Sequence, residues 1–266
     1  MPGLSSESPE APGLSVVVIT LDEEAKIAQC LASVSFADEV IVLDSGSRDR
    51  TVELALAAGA RVERSAGWPG FGPQKNRALA FATRGWVFSI DADERVTPEL
   101  REEMLAVVRS SAAGPEAWDM PRRSSYCGQY MAHSGWYPDR VTRLFRRGRA
   151  RFSDDVVHER LLTDAAVGHL RGDLLHESFD DLGDVLHKLD AYSTAGAQRM
   201  WQQGRRTSIA GAVAHGLWAF LRTYLLQRGF LDGRMGFVLA VSNAEGTYYR
   251  YLKLWLLQRR PAAPPA

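Results

Sequence analysis

Strands and helices alternate through the first 110 residues, and this alternation restricts the chain to a small set of folds. The segments "LSVVVIT" (14–20) and "EVIVLD" (39–44) are continuous apolar, β-branched runs, and each is followed by residues at helical spacing. Such runs are typical of strands buried on both faces. Their alternation with helices predicts a parallel α/β sheet with right-handed crossovers.

Glycine and proline mark the ends of the predicted elements. We expect helices at 49–60 and 72–85, ended by Gly59 and Gly85 respectively. Thr97 and Pro98 have the residue types of an N-cap and a first helical position, so they predict a further helix that runs to about residue 110.

Acidic side chains follow three of the predicted strands. A third strand is expected at "ARVERS" (60–65) and a fourth at the apolar residues of "WVFSI" (86–90). Asp22 and Glu23 follow the first strand, Asp44 ends the second, and Asp91 and Asp93 follow the fourth. In open α/β sheets, ligands bind outside the carboxyl ends of the strands. We therefore expect these acids to line one rim that receives a polar, cationic or metal-bound ligand.

The Asp91-Ala92-Asp93 sequence is a candidate metal site. In an extended segment, residues i and i+2 point the same way, so both carboxylates would approach one cation. Ligands that are all oxygen favour Mg²⁺ or Mn²⁺, and Mg²⁺ commonly combines one or two carboxylates with substrate phosphates.

Several motifs, taken in order, resemble the family 2 nucleotide-sugar glycosyltransferases of the GT-A fold. The resemblance rests on "VVVITLDEE", "VIVLDSGSRDRT", "KNRALAFATRGWVFSIDADE" and "VVHERL". The later segments "HSGWYPDRVTRLFRRGRARF" and "RGFLDGRMGFVLA" resemble the branch that adds sugars to the lipopolysaccharide inner core. The implied fold class is α/β: a GT-A Rossmann-like mixed, mainly parallel sheet flanked by helices, with a C-terminal helical extension.

The resemblance also implies how the nucleotide is held. Thr20, Leu21 and Glu23 match the positions that hold the base and the ribose, and Asp44 matches the acid that hydrogen-bonds a uracil ring.

The resemblance implies that two further acids lie at the metal. Two other positions depart from the family pattern. Asp93 matches the direct ligand of the metal on the diphosphate, and Asp91 matches the acid near the ribose and the metal. Asp22 stands where Asn is usual, and Ser45 stands where a second Asp is usual. These departures leave open whether the nucleotide is uridine or another.

Three other side chains are candidates for donor binding. Lys75 and Asn76 lie near the start of the helix before the fourth strand, where a lysine would reinforce an anion site for the diphosphate. The alternative is a solvated surface lysine. His176, in "LLHESF", is a candidate for contact with the metal or phosphates, or for an ordinary core hydrogen bond.

The segment "DDVVHERL" contains the candidate general base. An inverting transfer needs a carboxylate that takes the proton of the acceptor hydroxyl. Glu159 matches the family position of this base, with Asp154 and Asp155 as the fallback. The alternative is that Glu159 forms a structural ion pair with Arg160 or Arg151.

The C-terminal region differs from the rest in charge. Residues 199–260 carry ten Arg or Lys against two acids, a net charge of about +8, although the whole chain is neutral. Basic, amphipathic, Trp-rich helices suit an anionic membrane surface. The alternative is an ordinary helical subdomain. Nucleic acid is an unfavoured partner, because the basic residues alternate with long apolar stretches.

We therefore predict four regions: a disordered lead that is not a signal peptide, a glycosyltransferase domain, an amphipathic helical region and a tail. Their bounds are 1–13, 14–182, 183–260 and 261–266. Two cysteines without a CxxC pair argue against a disulfide framework and fit a reducing compartment. We expect a cytoplasmic protein, peripheral on the inner leaflet of the inner membrane.

The predicted function is metal-dependent inverting transfer of a hexose from a nucleotide-diphosphate sugar, a UDP-sugar, to a lipopolysaccharide-core or other cell-envelope glycan. Alternatives are a polyprenyl-linked or other acceptor, or a non-catalytic nucleotide-sugar-binding membrane adaptor. A haloacid dehalogenase-type phosphatase is disfavoured, because Glu94 and Arg95 follow the DxD on the fourth strand. A nucleotidyltransferase would need a Gly-rich basic loop where the chain has "TLDEEAK".

Overall fold

The computed structural model of the protein describes residues 11–154 and 159–259. Its first part alternates strands and helices as the sequence predicts. In chain order the elements are β1 (Ala11–Thr20), α1 (Ile27–Ser33), β2 (Glu39–Asp44), α2 (Thr51–Ala57), β3 (Arg61–Arg64), α3 (Phe71–Leu79), β4 (Arg84–Asp91), β5 (Glu94–Val96) and α4 (Pro98–Arg109).

The second part begins with short strands and ends with long helices. The strands are β6 (Ala117–Tyr126), β7 (Gln129–Tyr130), β8 (Asp139–Arg146), β9 (Arg151–Phe152), β10 (Leu161–Leu162), β11 (Val167–His169) and β12 (Leu174–Phe179). The helical segments are α5 (Leu182–Gln202), α6 (Ile209–Leu221), a π-helical turn (Arg222–Leu226), a 3₁₀ turn (Gly229–Asp232) and α7 (Gly233–Leu257).

Most of the strands form one mixed sheet, in the order β3-β2-β1-β4-β8-β6-β12-β5. The four strands β3, β2, β1 and β4 are parallel to one another, whereas β8 is antiparallel to both β4 and β6. The predicted fold class is confirmed: a mainly parallel sheet with flanking helices, followed by C-terminal helices.

The apolar run in β1 is buried on both sides of the sheet. Val16 and Val18 belong to one hydrophobic cluster, and Val17 and Ile19 belong to another. Because alternate residues of a strand point to opposite faces, each face of β1 needs its own apolar partners. This requirement explains why the run is continuous rather than alternating.

The strand ends that carry the acids lie side by side. In the register of β1 with its neighbours, Thr20 pairs with Asp44 and Ile19 pairs with Asp91. The expectation that the acids after β1, β2 and β4 share one edge of the sheet is therefore confirmed.

The predicted helix boundaries are partly correct. Gly59 follows α2 with a φ of 80°, and Thr97 caps α4 by accepting a hydrogen bond from the backbone N–H of Leu100. The predicted end of α3 at Gly85 is wrong, because the helix ends at Leu79. Tight i→i−3 turns from residue 80 to 82 close the helix, and Gly85 already belongs to β4.

The chain divides into two units. Unit 1 comprises the residues up to 122 together with 139–176, and unit 2 comprises 123–138 together with the chain from 177 onward. The loop 123–138, which the sequence analysis placed in the catalytic domain, therefore groups with the C-terminal helices.

Unit 2 holds its loop through Asp232, which lies just before α7 and is 7% exposed. The Asp232 carboxylate accepts hydrogen bonds from the backbone N–H groups of Ala132 and His133 at 3.0 and 3.1 Å and from the Ser134 hydroxyl at 2.7 Å. Two segments that resemble the lipopolysaccharide branch, "HSGWYPD" and "RGFLDGRMGF", therefore meet at one buried carboxylate.

One helical stretch of unit 2, residues 209–226, is long and apolar enough to cross a membrane, and only 17% of it is buried. Large apolar side chains along it are open to solvent, including Leu217 and Trp218 at 62% and 55% exposed. Trp218 is thus not a core residue.

Candidate active site

The loop after β2 is organised by Asp44. This carboxylate is 1% exposed and accepts hydrogen bonds from the backbone N–H groups of Gly46 and Ser47 at 3.1 Å. The Ser47 hydroxyl also donates to it. Asp44 therefore holds the backbone of the 45–47 loop, a role that its resemblance to a base-recognising acid did not indicate.

The loop after β1 interlocks with the loop after β2. The Asp22 backbone N–H donates to the Ser47 hydroxyl at 2.9 Å, and the Asp22 carboxylate accepts from the Arg48 N–H at 2.7 Å. Asp22 has a φ of 55°. Asn and Asp are both enriched in this left-handed region, so the departure from Asn at this position costs the loop little.

Asp91, at the end of β4, is held between two cations. Lys75 Nζ lies 2.8 Å from its Oδ1, and Arg143 Nη2 lies 2.7 Å from its Oδ2. Burial alone would raise the pKa of Asp91, but the charges of Arg143 and Lys75 outweigh burial and hold this pKa well below its usual range. Asp91 is therefore ionised at neutral pH.

Glu94 is the third carboxylate of the DxDE segment and is fully buried. Its Oε2 accepts the backbone N–H of Asp91 at 3.0 Å, and its Oε1 lies 3.3 Å from Arg143 and 3.6 Å from Arg122. No role for Glu94 or for these arginines was predicted from the sequence. Three acids within four residues were a signal that cations lie nearby, because buried carboxylates need cationic partners.

Asp93 lies apart from this cluster. Residues 92 and 93 form a turn between β4 and β5, so the expectation of an extended Asp91-Ala92-Asp93 segment is wrong. The turn is secured by Arg95, whose Nη1 donates to the Ala92 carbonyl at 2.9 Å. Asp93 Oδ2 instead lies 3.3 Å from His176 Nε2 on β12.

Lys75 connects the strand end to Glu159. Its side chain is 2% exposed, and Nζ lies 2.7 Å from Glu159 Oε1. Lys75 is thus a buried ion-pair partner rather than a solvated surface residue. Arg160 and Arg151 were the partners expected if Glu159 were structural, and the structure shows an ion pair of Glu159 with Lys75, which was not expected.

Asn76 and Gly72 position the backbone that precedes Glu159. The Asn76 amide donates to the Phe152 carbonyl at 2.9 Å and accepts the Phe152 N–H at 2.8 Å. A Cβ on Gly72 would lie 1.9 Å from the Ser153 carbonyl oxygen, so only glycine permits this approach. Asp155, one fallback base, lies outside the described residues.

Glu23, after β1, completes the acidic edge. Burial, followed by the negative charge of Asp93, raises the pKa of Glu23 to about 6. Thr20 beside it is 2% exposed, whereas Leu21 is 43% exposed at the rim. The structure therefore brings Thr20, Glu23, Asp91 and Asp93 to one edge of the sheet.

Comparison with known proteins identifies the family to which the chain belongs. The sequence profile described as Glycosyl transferase family 2 matches residues 15–166. This match takes in the strand-end acids and Glu159, and it covers more than half of the chain. The chain therefore belongs to glycosyltransferase family 2.

Individual relatives agree with this assignment. The chain is 30% identical over 272 residues to the lipopolysaccharide core biosynthesis glycosyltransferase LpsC of Rhizobium meliloti, which covers 96% of both chains. It is 29% identical to the uncharacterized glycosyltransferase RP128 of Rickettsia prowazekii, over 91% of this chain and 86% of that protein. A solved glucosyl-3-phosphoglycerate synthase of Mycobacterium tuberculosis, in complex with Mn²⁺ and UDP, is 30% identical over 43% of this chain and 44% of that chain, with a TM-score of 0.36.

The raised pKa of Glu23 predicts a specific pH dependence of stability. Its pKa is about 4.3 in an unfolded chain, and the folded value is about 6. The folded protein binds the extra proton between these values, so this group's contribution to the free energy of unfolding falls as pH rises through that window. The free energy of unfolding of the wild type minus that of Glu23→Gln, measured by urea denaturation, should therefore be more positive at pH 4.5 than at pH 7.

Glu53→Gln is the matched control with the opposite sign. Glu53 is exposed and pairs with Arg50, which holds its pKa below the ordinary value. The contribution of Glu53 to the free energy of unfolding is lost as pH falls. The free energy of unfolding of the wild type minus that of Glu53→Gln should therefore increase from pH 4.5 to pH 7. If the difference between the wild type and Glu23→Gln did not change with pH, the desolvated position of Glu23 would be contradicted.

Proposed function

We propose that this glycosyltransferase moves a hexose from a UDP-sugar to a glycan acceptor of the lipopolysaccharide core, with inversion at the anomeric carbon. The observation that carries the proposal is the sheet edge where Glu23, Asp91 and Asp93 stand beside the ion-paired Glu159. The relative named for lipopolysaccharide core biosynthesis supports the acceptor class.

In the proposed donor site, the residues at the ends of β1 and β2 hold the nucleotide. Leu21 offers an exposed apolar side chain to the base. Thr20 and Glu23 contact the base and the ribose, while Asp44, whose oxygens are engaged with Gly46, Ser47 and Thr20, fixes the loop that borders the base. Lys75 and Asn76 serve this site indirectly, because their polar groups are engaged with Asp91, Glu159 and Phe152.

A divalent cation fits beside Asp93. Both oxygens of Asp91 are engaged with Lys75 or Arg143, so Asp93 and His176 are the protein groups that would hold the metal. In residues 11–154 and 159–259 no cluster of three His, Cys, Asp or Glu side chains forms a ready metal cage. Mg²⁺ and Mn²⁺ are commonly held by one or two carboxylates together with substrate phosphates, so Asp93 would be the main protein ligand, with His176 beside it. The bound cation would stabilise the negative charge of the leaving diphosphate.

Glu159 is the proposed general base. The contact of its Oε1 with Lys75 fixes the carboxylate in space, and Lys75 is itself fixed by Asp91. A carboxylate held in this way can take the proton of an acceptor hydroxyl as the oxygen attacks the anomeric carbon. Attack opposite the leaving diphosphate is a single displacement and inverts the configuration.

The proposed location is the cytoplasmic surface of the inner membrane. The stretch 209–226 exposes apolar side chains, and further exposed residues continue after it at Phe230 and Leu231. The region 199–260 is strongly basic. An apolar face flanked by cations is attracted to anionic lipid and buries its side chains in the interface.

Asp93→Asn tests the metal site. The substitution removes one negative charge from the proposed ligand, so Mn²⁺-dependent binding of UDP should weaken by at least the roughly 10- to 100-fold that loss of an outer-shell partner costs, and transfer should be lost. Isothermal titration calorimetry with UDP, with and without Mn²⁺, measures the effect. Asp190→Asn on α5, which pairs with Lys253, is the control. Unchanged Mn²⁺-dependent affinity in Asp93→Asn would refute the assignment.

Glu159→Gln tests the base. A positioned base contributes about 10²- to 10⁴-fold, so turnover per folded molecule should fall within that range while UDP affinity changes little. The substitution also weakens the pair with Lys75, so the melting temperature is measured alongside and the folded fraction is corrected. Glu116→Gln, an exposed pair with Arg149, is the control.

Two results would refute the proposed chemistry at Glu159. Normal turnover in Glu159→Gln would leave the residue a purely structural ion pair. A product that retains the donor configuration, read from the anomeric proton by NMR, would exclude a single displacement.

Co-sedimentation with vesicles tests the membrane proposal. Binding to phosphatidylglycerol vesicles should fall as salt rises, because the attraction is screened over about 8 Å at physiological ionic strength. Leu217→Ser with Trp218→Ser should weaken binding at every salt concentration. Leu186→Ser, at a 50% exposed position on α5, is the control. Equal binding by all variants, or none at low salt, would contradict the proposed docking face.

A further inference from the structure

Unit 2 contains a cavity of about 410 Å³ that the donor chemistry does not use. It lies wholly among residues of this unit, between the 134–136 loop, α5, the end of α6 and α7. This volume is within the usual range for small-molecule sites, about 300–1,000 Å³. The cavity is therefore large enough for a sugar residue.

The charge of the cavity wall is positive. Lys188, Arg222 and Arg250 line it, and within the described chain its lining includes no Asp or Glu. A Cβ on Gly196 would lie 2.9 Å from Arg250 Nε, so the glycine leaves room for the arginine side chain. Three cations without a lining acid favour an anionic ligand.

Neutral polar groups and aromatic rings complete the wall. Thr223 and Asn243 are joined by a hydrogen bond of 3.3 Å. Trp136 and Phe179 pack with their ring centroids 5.9 Å apart. Hydroxyl and amide groups beside aromatic surface suit a ring that carries several hydroxyls, since such a ring has both polar edges and apolar faces.

The π-helical turn Arg222–Leu226 provides part of this wall. Its wider winding is closed by the Gln227 N–H, which donates to the Arg222 carbonyl at 2.8 Å. Arg222, Thr223 and Gln227 all line the cavity. The turn follows directly on α6 and ends this helix, and in doing so it places three polar side chains on the cavity wall.

We propose that this cavity binds an acidic sugar residue of the acceptor, one that carries a phosphate or a carboxylate. Arg222 and Arg250 contact the acidic group, and the Trp136 side receives the sugar ring. This inference rests on the proposed function, which makes the acceptor a glycan of the lipopolysaccharide core. It adds that the acceptor is recognised through a charged sugar held by unit 2.

The test is calorimetric titration of the full chain with glucose 6-phosphate, glucuronic acid, glucose and inorganic phosphate. The two acidic sugars should bind more tightly than glucose or phosphate alone. Hydrogen bonds to a charged group are worth about 1.5–3 kcal/mol, so Arg250→Gln and Arg222→Gln should each raise the dissociation constant for acidic sugars by about tenfold or more. Arg234→Gln, exposed at the start of α7, is the control and should bind as wild type does.

Three results would overturn the inference: phosphate binding as tightly as glucose 6-phosphate, acidic sugars binding to Arg250→Gln and Arg222→Gln as tightly as to the wild type, or phosphatidylglycerol vesicles displacing the bound acidic sugar. The last result would assign the cavity to a lipid headgroup. UDP titrations of the same variants separate this inference from the proposed function. Normal Mn²⁺-dependent UDP binding without acidic-sugar binding would refute the cavity assignment alone. Absence of UDP binding would refute the donor site, and the sugar titration would still test the cavity.

Discussion

The ion pairs of Lys75 and Arg143 determine where three carboxylates of the candidate active site stand. Around these two cations lie Asp91, Glu94 and Glu159, and Arg122 adds a third positive charge near Glu94. Three carboxylates thus face three cations in a mostly buried cluster. Removing one partner from a buried pair typically costs about 3–5 kcal/mol, because the other charge is left without compensation. The cluster therefore joins α3, β4, β5, β8 and the segment of Glu159 into one arrangement.

This cluster explains how two carboxylates two residues apart can have different surroundings. Asp91 ends a strand and is neutralised by Lys75 and Arg143, whereas Asp93 stands in the following turn beside His176. The cations take up the charge of Asp91, whereas Asp93, which pairs with His176, is the carboxylate that we propose for the metal. Repulsion among the acids that remain is visible at Glu23, whose pKa is raised by burial and by Asp93.

The sequence was sufficient to predict the sheet and its acidic edge but not the cations that hold it. The strands follow from local apolar runs such as 14–20, and the shared edge follows from parallel topology. The partners of Asp91 come from positions 75 and 143, and the partner of Lys75 comes from position 159. Pairing over such sequence distances leaves no periodic signal. The turn at Asp93 was missed because the extended geometry of β4 was continued past its end.

The division of unit 2 into two stretches has a consequence for truncation. Because residues 123–138 and 177 onward belong together, the chain passes from one unit to the other after 122, 138 and 176. Ending the chain at 182 would remove Asp232 and leave the N–H groups of Ala132 and His133 and the Ser134 hydroxyl without their acceptor. The C-terminal helices are thus not a detachable module, and gene fusions or deletions that treat residue 182 as a domain boundary would cut through one folded body.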